Sequence, residues 1–401
     1  MKYLLVPTNN SLSHILKCLS IMNDLKANGE EVHIAVSQKH SNFLNNQNIQ
    51  HHILADIQET DDGGFPSIKW FSNPETITSC IQEEVGLIEK LKPDKILGVF
   101  RFTLYASSQI AKTSYDSLIC GCMIPDSDDI LGFSEHDEGK DLQKKYLDNF
   151  FQFAGHKTSL VLRKFGLDKI DDIRLALKGE RTFLWDFPEF MPIQKKPGTI
   201  HIGPINISHS PHDKIDLNPI IDSKYPLAVV SFGTCVTNNS IVNRIVKLLL
   251  DLNYKVLIAA GGQQEMLNIH ISHPRLSILN FAPLNEIFPY TSLLVTHGGQ
   301  MTIFEALQNK VPVVVMPLQP EQAHNGVCLE RIGCGIRLIP STLFTGFPDD
   351  YINSFNKIPD YEIKSKISNL VNNDATNERL VKIKEAIDRY QGTKALVDFL
   401  R

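Results

Sequence analysis

Leu293-Leu294-Val295-Thr296-His297-Gly298-Gly299-Gln300-Met301-Thr302-Ile303-Phe304-Glu305-Ala306-Leu307 is the stretch on which the reading of this chain turns. A run of buried-strand character ends in a polar His, two glycines follow, and a helix begins. The glycines permit a tight turn and close backbone approach. The free N–H groups and the positive end of the helix dipole then form an anion site. His297 adds a donor beside it. Thr302 is placed to cap the helix or to offer its hydroxyl to a phosphate. Glu305 lies one turn later on the same side, where a carboxylate accepts two hydrogen bonds from a ribose diol. The bare turn also occurs in α/β proteins that bind nothing there, so the surrounding sequence has to decide.

Downstream, Val311 to Met316 reads as another strand, and Glu321-Gln322 opens the next helix at its carboxyl end. A carboxylate beside a carboxamide suits the gripping of sugar hydroxyls, although Glu in a first helical turn is also a plain dipole partner. Upstream, Leu227 to Phe232, Lys255 to Ala260 and Ile278 to Phe281 are strands, and Ser240 to Leu252 a helix. The first half repeats this logic. Tyr3 to Pro7, Glu31 to Val36 and Lys95 to Phe100 are strands. Helices fit the stripe from Leu12 to Leu25, Glu75 to Leu91 and a segment from Leu104. Two α/β, doubly wound, Rossmann-like domains are expected, each with a parallel sheet covered on both faces. The domains are assigned to residues 1–205 and 223–380. A polar, proline-bearing linker at 206–222 joins them, and a helical tail at 381–401 is placed to cross back to the first domain. Ligands of such sheets bind at the carboxyl ends of the strands, which here would line an interdomain cleft.

Composition agrees with an ordinary globular chain of this size. The 401 residues are 42% hydrophobic and 21% charged, enough apolar matter for two cores. A formal charge of -5 with scattered Lys and Arg speaks against nucleic acid and against a membrane-surface partner. Seven cysteines, an odd number, do not suggest a disulfide framework. No secretory signal or apolar run long enough to span a bilayer is found, so a cytoplasmic protein without stable membrane insertion is expected.

The ordered series Phe281-Ala282-Pro283, Thr296-His297-Gly298-Gly299, Glu305-Ala306-Leu307, Val311-Pro312, Pro317, Glu321-Gln322 and Asn325 resembles the donor-binding signature of family 1 glycosyltransferases. The likeness is greatest to the bacterial macrolide and antibiotic enzymes, and extends faintly to Gly203-Pro204 and Ser231-Phe232-Gly233-Thr234. The resemblance implies the GT-B fold and transfer of a hexose from a UDP- or dTDP-sugar to a small, largely apolar acceptor. It implies that Phe281 and Ala282 receive the base, and that His297, Gly299, Gln300 and Thr302 bind the diphosphate, with Gly233 and Thr234 approaching from the opposite loop. Glu305 would hold the ribose, and Glu321 and Gln322 the transferred sugar. No metal or other cofactor is implied, the nucleotide sugar being a co-substrate. Met301 stands where the family usually carries Asn or Gly, and Phe281 replaces the Trp of plant enzymes.

On the other side, Asn9-Asn10-Ser11-Leu12-Ser13-His14 joins the first strand to the first helix. His14 resembles the catalytic base of the family in position. A near-neutral imidazole is suited to taking the acceptor's proton during inverting transfer. The Asp that usually orients that His is replaced by Val99, so His14 acts alone, or Asp116 or Asp126 substitutes, or catalysis is weak. Two other readings stay open at this stage: a nucleotide-sugar epimerase of similar shape, and a catalytically weak sugar-nucleotide-binding partner protein. Aromatic residues of the first domain, Phe65, Trp70, Phe71, Phe133, Phe151 and Phe153, are candidates for an acceptor pocket. A homodimer is left open.

Overall fold

A computed structural model describes residues 1–9, 11–56, 73–194, 196–205, 216–221, 224–232, 239–339 and 349–401. The chain divides into two compact units. One comprises Met1–Asp128, Lys145–Ser208 and Tyr390–Arg401; the other comprises Asp129–Lys144 and His209–Arg389.

The first unit is built on a seven-stranded sheet in the order β3-β2-β1-β4-β5-β6-β7. Its strands are β1 (Lys2–Pro7), β2 (Glu31–Val36), β3 (His52–Ile53), β4 (Lys95–Val99), β5 (Asp116–Ile119), β6 (Thr182–Leu184) and β7 (Thr199–His201). Every pairing is parallel. Helices α1 (Leu12–Ala27), α2 (Gln38–Asn45), α3 (Pro74–Leu91), α4 (Leu104–Ile110) and α5 (Lys140–Leu162) connect them. The strands read as near-continuous apolar runs because both faces of the sheet are covered: Leu4, Leu5, Val6, Ile96, Leu97 and Leu118 are all fully buried. Helix starts are written locally. The Ser11 side chain accepts from Ser13 N at the head of α1. Asn73 accepts from Glu75 N and Thr76 N before Pro74 opens α3.

The second unit carries a six-stranded parallel sheet in the order β10-β9-β8-β11-β12-β13. Helix α6 (Asn218–Ile221) precedes β8 (Leu227–Ser231), and α7 (Asn239–Asp251), β9 (Lys255–Ala259), β10 (Leu276–Leu279) and α8 (Leu284–Ile287) follow. Then come β11 (Thr291–Thr296), α9 (Gln300–Gln308), β12 (Val313–Val315), α10 (Pro320–Ile332) and β13 (Gly335–Arg337). Helices α11 (Asp349–Lys357), α12 (Asp360–Val371) and α13 (Asp374–Asp388) complete it. The core joins Val230, Ile245, Leu249 and Val256 to Leu293, Val295, Val314 and Phe355. In each sheet the strand order reverses beside the first strand of the unit, between β1 and β4 and between β8 and β11. That reversal opens a crevice at the strand ends.

The helical tail expected at 381–401 falls on two helices. α13 ends at Asp388, and Thr393–Leu400 forms α14. The tail from Tyr390 groups with the first unit: Gly392 N donates to Ile202 O (3.0 Å), Tyr3 Oη to Leu400 O (3.3 Å) and Arg181 Nη1 to Phe399 O (2.6 Å). The expected linker lies mostly outside the described residues.

The sequence reading has no counterpart for the excursion Asp129–Lys144, which belongs to the second unit. Ion pairs tie it there: Arg331 to Asp129 (2.7 Å) and Arg337 to Asp137 (2.8 Å). Gly132 N donates to Nδ1 of the buried His324 (3.3 Å), so the ring proton sits on Nε2, 3.5 Å from Asp129 Oδ2. Such contacts between residues some 200 positions apart leave no local pattern to read. Among the described residues, no helix is long and apolar enough to cross a membrane.

Candidate active site

The turn after β11 is set by its neighbours. Gly298 has φ +100°, and a Cβ there would stand 2.7 Å from Gln322 O and 3.0 Å from Val315 Cγ1. Backbone strain and sterics both demand glycine. Asn325 Nδ2 donates to Gly298 O (2.9 Å), pinning the turn to α10. At Gly299 the close neighbour is His297 itself, whose Nε2 would lie 2.7 Å from an added Cβ. The imidazole is therefore laid along the entrance of α9. Gly299 is the N-cap, and no side chain caps this helix. The expected start near Thr302 is corrected: α9 begins at Gln300, and Thr302 is its third residue rather than its cap. The first turn of an α-helix presents N–H groups that its own carbonyls do not reach.

His297 is buried, and burial pushes its pKa down to about 4, opposed by a hydrogen bond to the Ser231 main chain. The ring is neutral at neutral pH, with one nitrogen donating. Glu305 is partly buried and pushed up to about 7 by desolvation. No described residue bonds its carboxylate, an arrangement costly for the unliganded protein. Thr302 and Met301 are half-exposed one turn before it.

Phe281 lies half-exposed past the end of β10, its ring against Gly262, with Ala282 half-buried beside it. Glu321 stands in the first turn of α10, half-exposed. Gln322 is buried, and its Oε1 accepts from Leu318 N (2.8 Å). The carboxamide oxygen expected to grip a sugar therefore already holds the β12–α10 loop. Gln300 is buried at the start of α9. Gly233 and Thr234 lie outside the described residues. The second unit thus brings His297, Gly299, Gln300, Thr302 and Glu305 onto one turn and helix, with Glu321 and Gln322 on the neighbouring helix. Asn325 was only a motif position in the sequence, and its role as clamp of Gly298 required the fold.

In the first unit, His14 occupies the first turn of α1 beside the β1–β4 reversal. Its ring stacks on Phe100 (centroids 5.3 Å apart, planes 12° from parallel) and tilts against Trp185 (5.8 Å). Lys17, one turn on, sets its ammonium 4.4 Å from the Trp185 ring centroid. Burial, then Lys17, then His40 lower the His14 pKa well below the ordinary imidazole value. Its Nδ1 is buried without a hydrogen-bond partner. Val99 is fully buried. The two acids considered as substitutes are committed elsewhere: Asp116 pairs with Arg181 (2.6 Å), and Asp126 with Lys178 (2.7 Å) and Lys196. Arg101, next along, closes a buried cluster with Asp56 (2.6 Å) and Glu84 (2.6 Å), which Thr103 and Ser107 also bond. Phe100 has φ +55°, unusual for a bulky residue and costing of order 1–3 kcal/mol. The cage around His14 was missed in the sequence, though Trp185, one of two tryptophans, is a signal.

Of the aromatic candidates for an acceptor pocket, Phe133 and Phe151 are buried and Phe153 is exposed. Phe151 packs under Arg174 (4.3 Å). Phe65, Trp70 and Phe71 lie outside the described residues.

Comparison with known proteins now bears on these sites. The family model "UDP-glucoronosyl and UDP-glucosyl transferase" matches residues 179–358. A curated relative, the PGL/p-HBAD biosynthesis rhamnosyltransferase of Mycobacterium bovis, is 21% identical over 349 residues, covering 82% of this chain and 74% of its own. The solved glycotransferase of kitacinnamycin superposes with a TM-score of 0.76 at 16% identity, covering 99% of this chain and 97% of that one. The spinosyn rhamnosyltransferase SpnG complexed with thymidine diphosphate superposes at 0.71 with 16% identity over the whole of both chains. The two parallel-sheet units thus define a glycosyltransferase of GT-B fold. Residues 179–358 carry the likeness to the UDP-glucoronosyl and UDP-glucosyl transferases.

Proposed function

We propose that this enzyme moves a hexose, with inversion, from a nucleoside diphosphate sugar to a hydroxyl of a small, largely apolar acceptor. The supporting observation is the pairing of an α9 entrance without a side-chain cap, overlaid by His297, with a Glu305 carboxylate one turn inside that no described residue bonds. A diphosphate satisfies the first and a ribose diol the second. The thymidine diphosphate bound by SpnG, a protein of the same fold, agrees with this reading.

In the proposed reaction the acceptor oxygen attacks the anomeric carbon, and the bond from that carbon to the diphosphate oxygen breaks. His14 takes the hydroxyl proton, and its depressed pKa keeps it unprotonated and available well below neutrality. The charge left on the diphosphate is met by His297 and by the N–H groups opening α9. The cradle supplies these donors itself, so the proposal calls on no metal. Phe281, with its exposed face, would receive the base and Ala282 its edge; Gly299, Gln300 and Thr302 would contact the phosphates, with Gly233 and Thr234 opposite. Glu321 would hold the sugar, and Gln322 would shape the loop that presents it.

Thermal unfolding with nucleoside diphosphates is the direct test. A diphosphate that binds only the folded protein raises its Tm. The proposal expects that rise in the wild type and its loss in His297→Ala. An equal rise in both would place the diphosphate elsewhere and overturn the reading.

A further inference from the structure

Helix α5 leaves a line of large apolar side chains in water. Tyr146 is 52% exposed, Phe153 50% and Leu160 41%. They are spaced seven residues apart, nearly two turns each, so they fall on one stripe about 21 Å long. The opposite face of the helix is used: Phe151, Ala154 and Val161 are buried, and Ser159 Oγ bonds both the N–H and the carbonyl of Ile170. The stripe is therefore a second, solvent-exposed face.

Its borders are cationic. Lys145 and Lys157 flank it, and the Lys157 ammonium lies 5.3 Å from the Phe153 ring centroid. Between Lys140 and Lys164 six Lys and Arg accompany two Asp, in a chain whose net charge is -5. The overall charge that spoke against a membrane-surface partner is thus an average that this segment reverses. A second copy of the chain is a poor occupant. A two-fold interface presents the same patch twice, so the lysines of one stripe would meet a partner stripe lacking carboxylates.

We propose that this face of α5 is a docking surface for an anionic lipid bilayer. The aromatic and Leu side chains enter the headgroup boundary, and the lysines reach the anionic phosphates around them. The contact is peripheral and reversible, and it brings the enzyme to the phase in which an apolar acceptor concentrates. It does not depend on which sugar or acceptor is used.

Co-sedimentation of the full chain with phosphatidylcholine vesicles, with and without phosphatidylglycerol, tests this. Binding is expected only with phosphatidylglycerol, and to fade as salt is raised. Phe153→Glu should abolish it, and Lys157→Gln should weaken it about fivefold. Both positions are exposed or half-buried, so both variants should unfold at the wild-type temperature. A Lys145→Gln/Lys157→Gln double variant that leaves the apolar stripe intact serves if Phe153→Glu proves unstable. No pelleting with either vesicle, equal pelleting with both, or unchanged pelleting of the variants would overturn the proposal. So would light scattering that shows a dimer dissolved by Phe153→Glu.

Discussion

Each unit sets a histidine beside its reversal of strand order, His14 in the helix after the first strand, β1, and His297 directly after the fourth, β11, and the two are treated differently. In the second unit His297 is neutral, bonded to the Ser231 main chain and laid over the entrance of α9. Its surroundings are main-chain donors and a waiting carboxylate. In the first, His14 lies between Phe100 and Trp185, with Lys17 nearby and Nδ1 without a partner. Backbone geometry shapes the turn at His297; a side-chain cage desolvates the imidazole of His14. The first kind of site is written in one local turn, whereas the second is assembled from residues at the ends of distant strands.

The largest effect should come from the cage. His14→Ala should lower kcat about 10²- to 10⁴-fold at neutral pH while leaving diphosphate binding intact. Unchanged turnover would remove the proposed base. His297→Ala should cost about 10²- to 10³-fold in kcat and abolish the diphosphate-induced rise in Tm, the reverse division between units. Gly298→Ala should destabilise the fold by about 1–3 kcal/mol, measured by urea unfolding, because both φ and the Gln322 carbonyl oppose a side chain. A neutral result would mean the turn is softer than its contacts suggest.

Glu305 offers a subtler test. Its pKa is raised on folding, so between its unfolded value and about 7 the folded chain binds the extra proton, and its ionisation costs stability as pH rises through that window. Glu305→Gln should therefore raise the Tm of the unliganded protein at pH 8 and leave it little changed near pH 4. The same substitution should weaken nucleotide binding, and wild-type affinity should decline below about pH 7, where the carboxyl takes up its proton. Smallest of all should be the response of turnover to mild acid. With His14 depressed by burial and Lys17, kcat should hold through pH 6.5 and fall only at more acidic pH. A fall centred near pH 6.5 would point to an unperturbed, solvated imidazole.

Much of the second unit was legible because its instructions are local. The β11 turn, its two glycines and the helix that follows can be read from Leu293 to Leu307, and the strands from their unbroken apolar runs. Of the two roles read for Thr302, capping does not hold, because Gly299 opens α9 and no side chain caps it. The commitment of Gln322 to Leu318, the clamp of Asn325 on Gly298 and the sequestering of Asp116 and Asp126 were not legible, since each depends on which side chains meet after folding.

Hydrophobic periodicity and glycine placement, read from the residues alone, determined two doubly wound sheets and a glycine turn at the head of one helix. These are short-range matters of burial and φ. Only the tertiary structure decided what surrounds His14, which carboxylates are spent in ion pairs, and that Asp129–Lys144 joins the second unit while Tyr390–Arg401 joins the first. Such contacts bring together residues tens to hundreds of positions apart. No window of sequence records them, because desolvation and charge pairing act through space once the chain has closed upon itself.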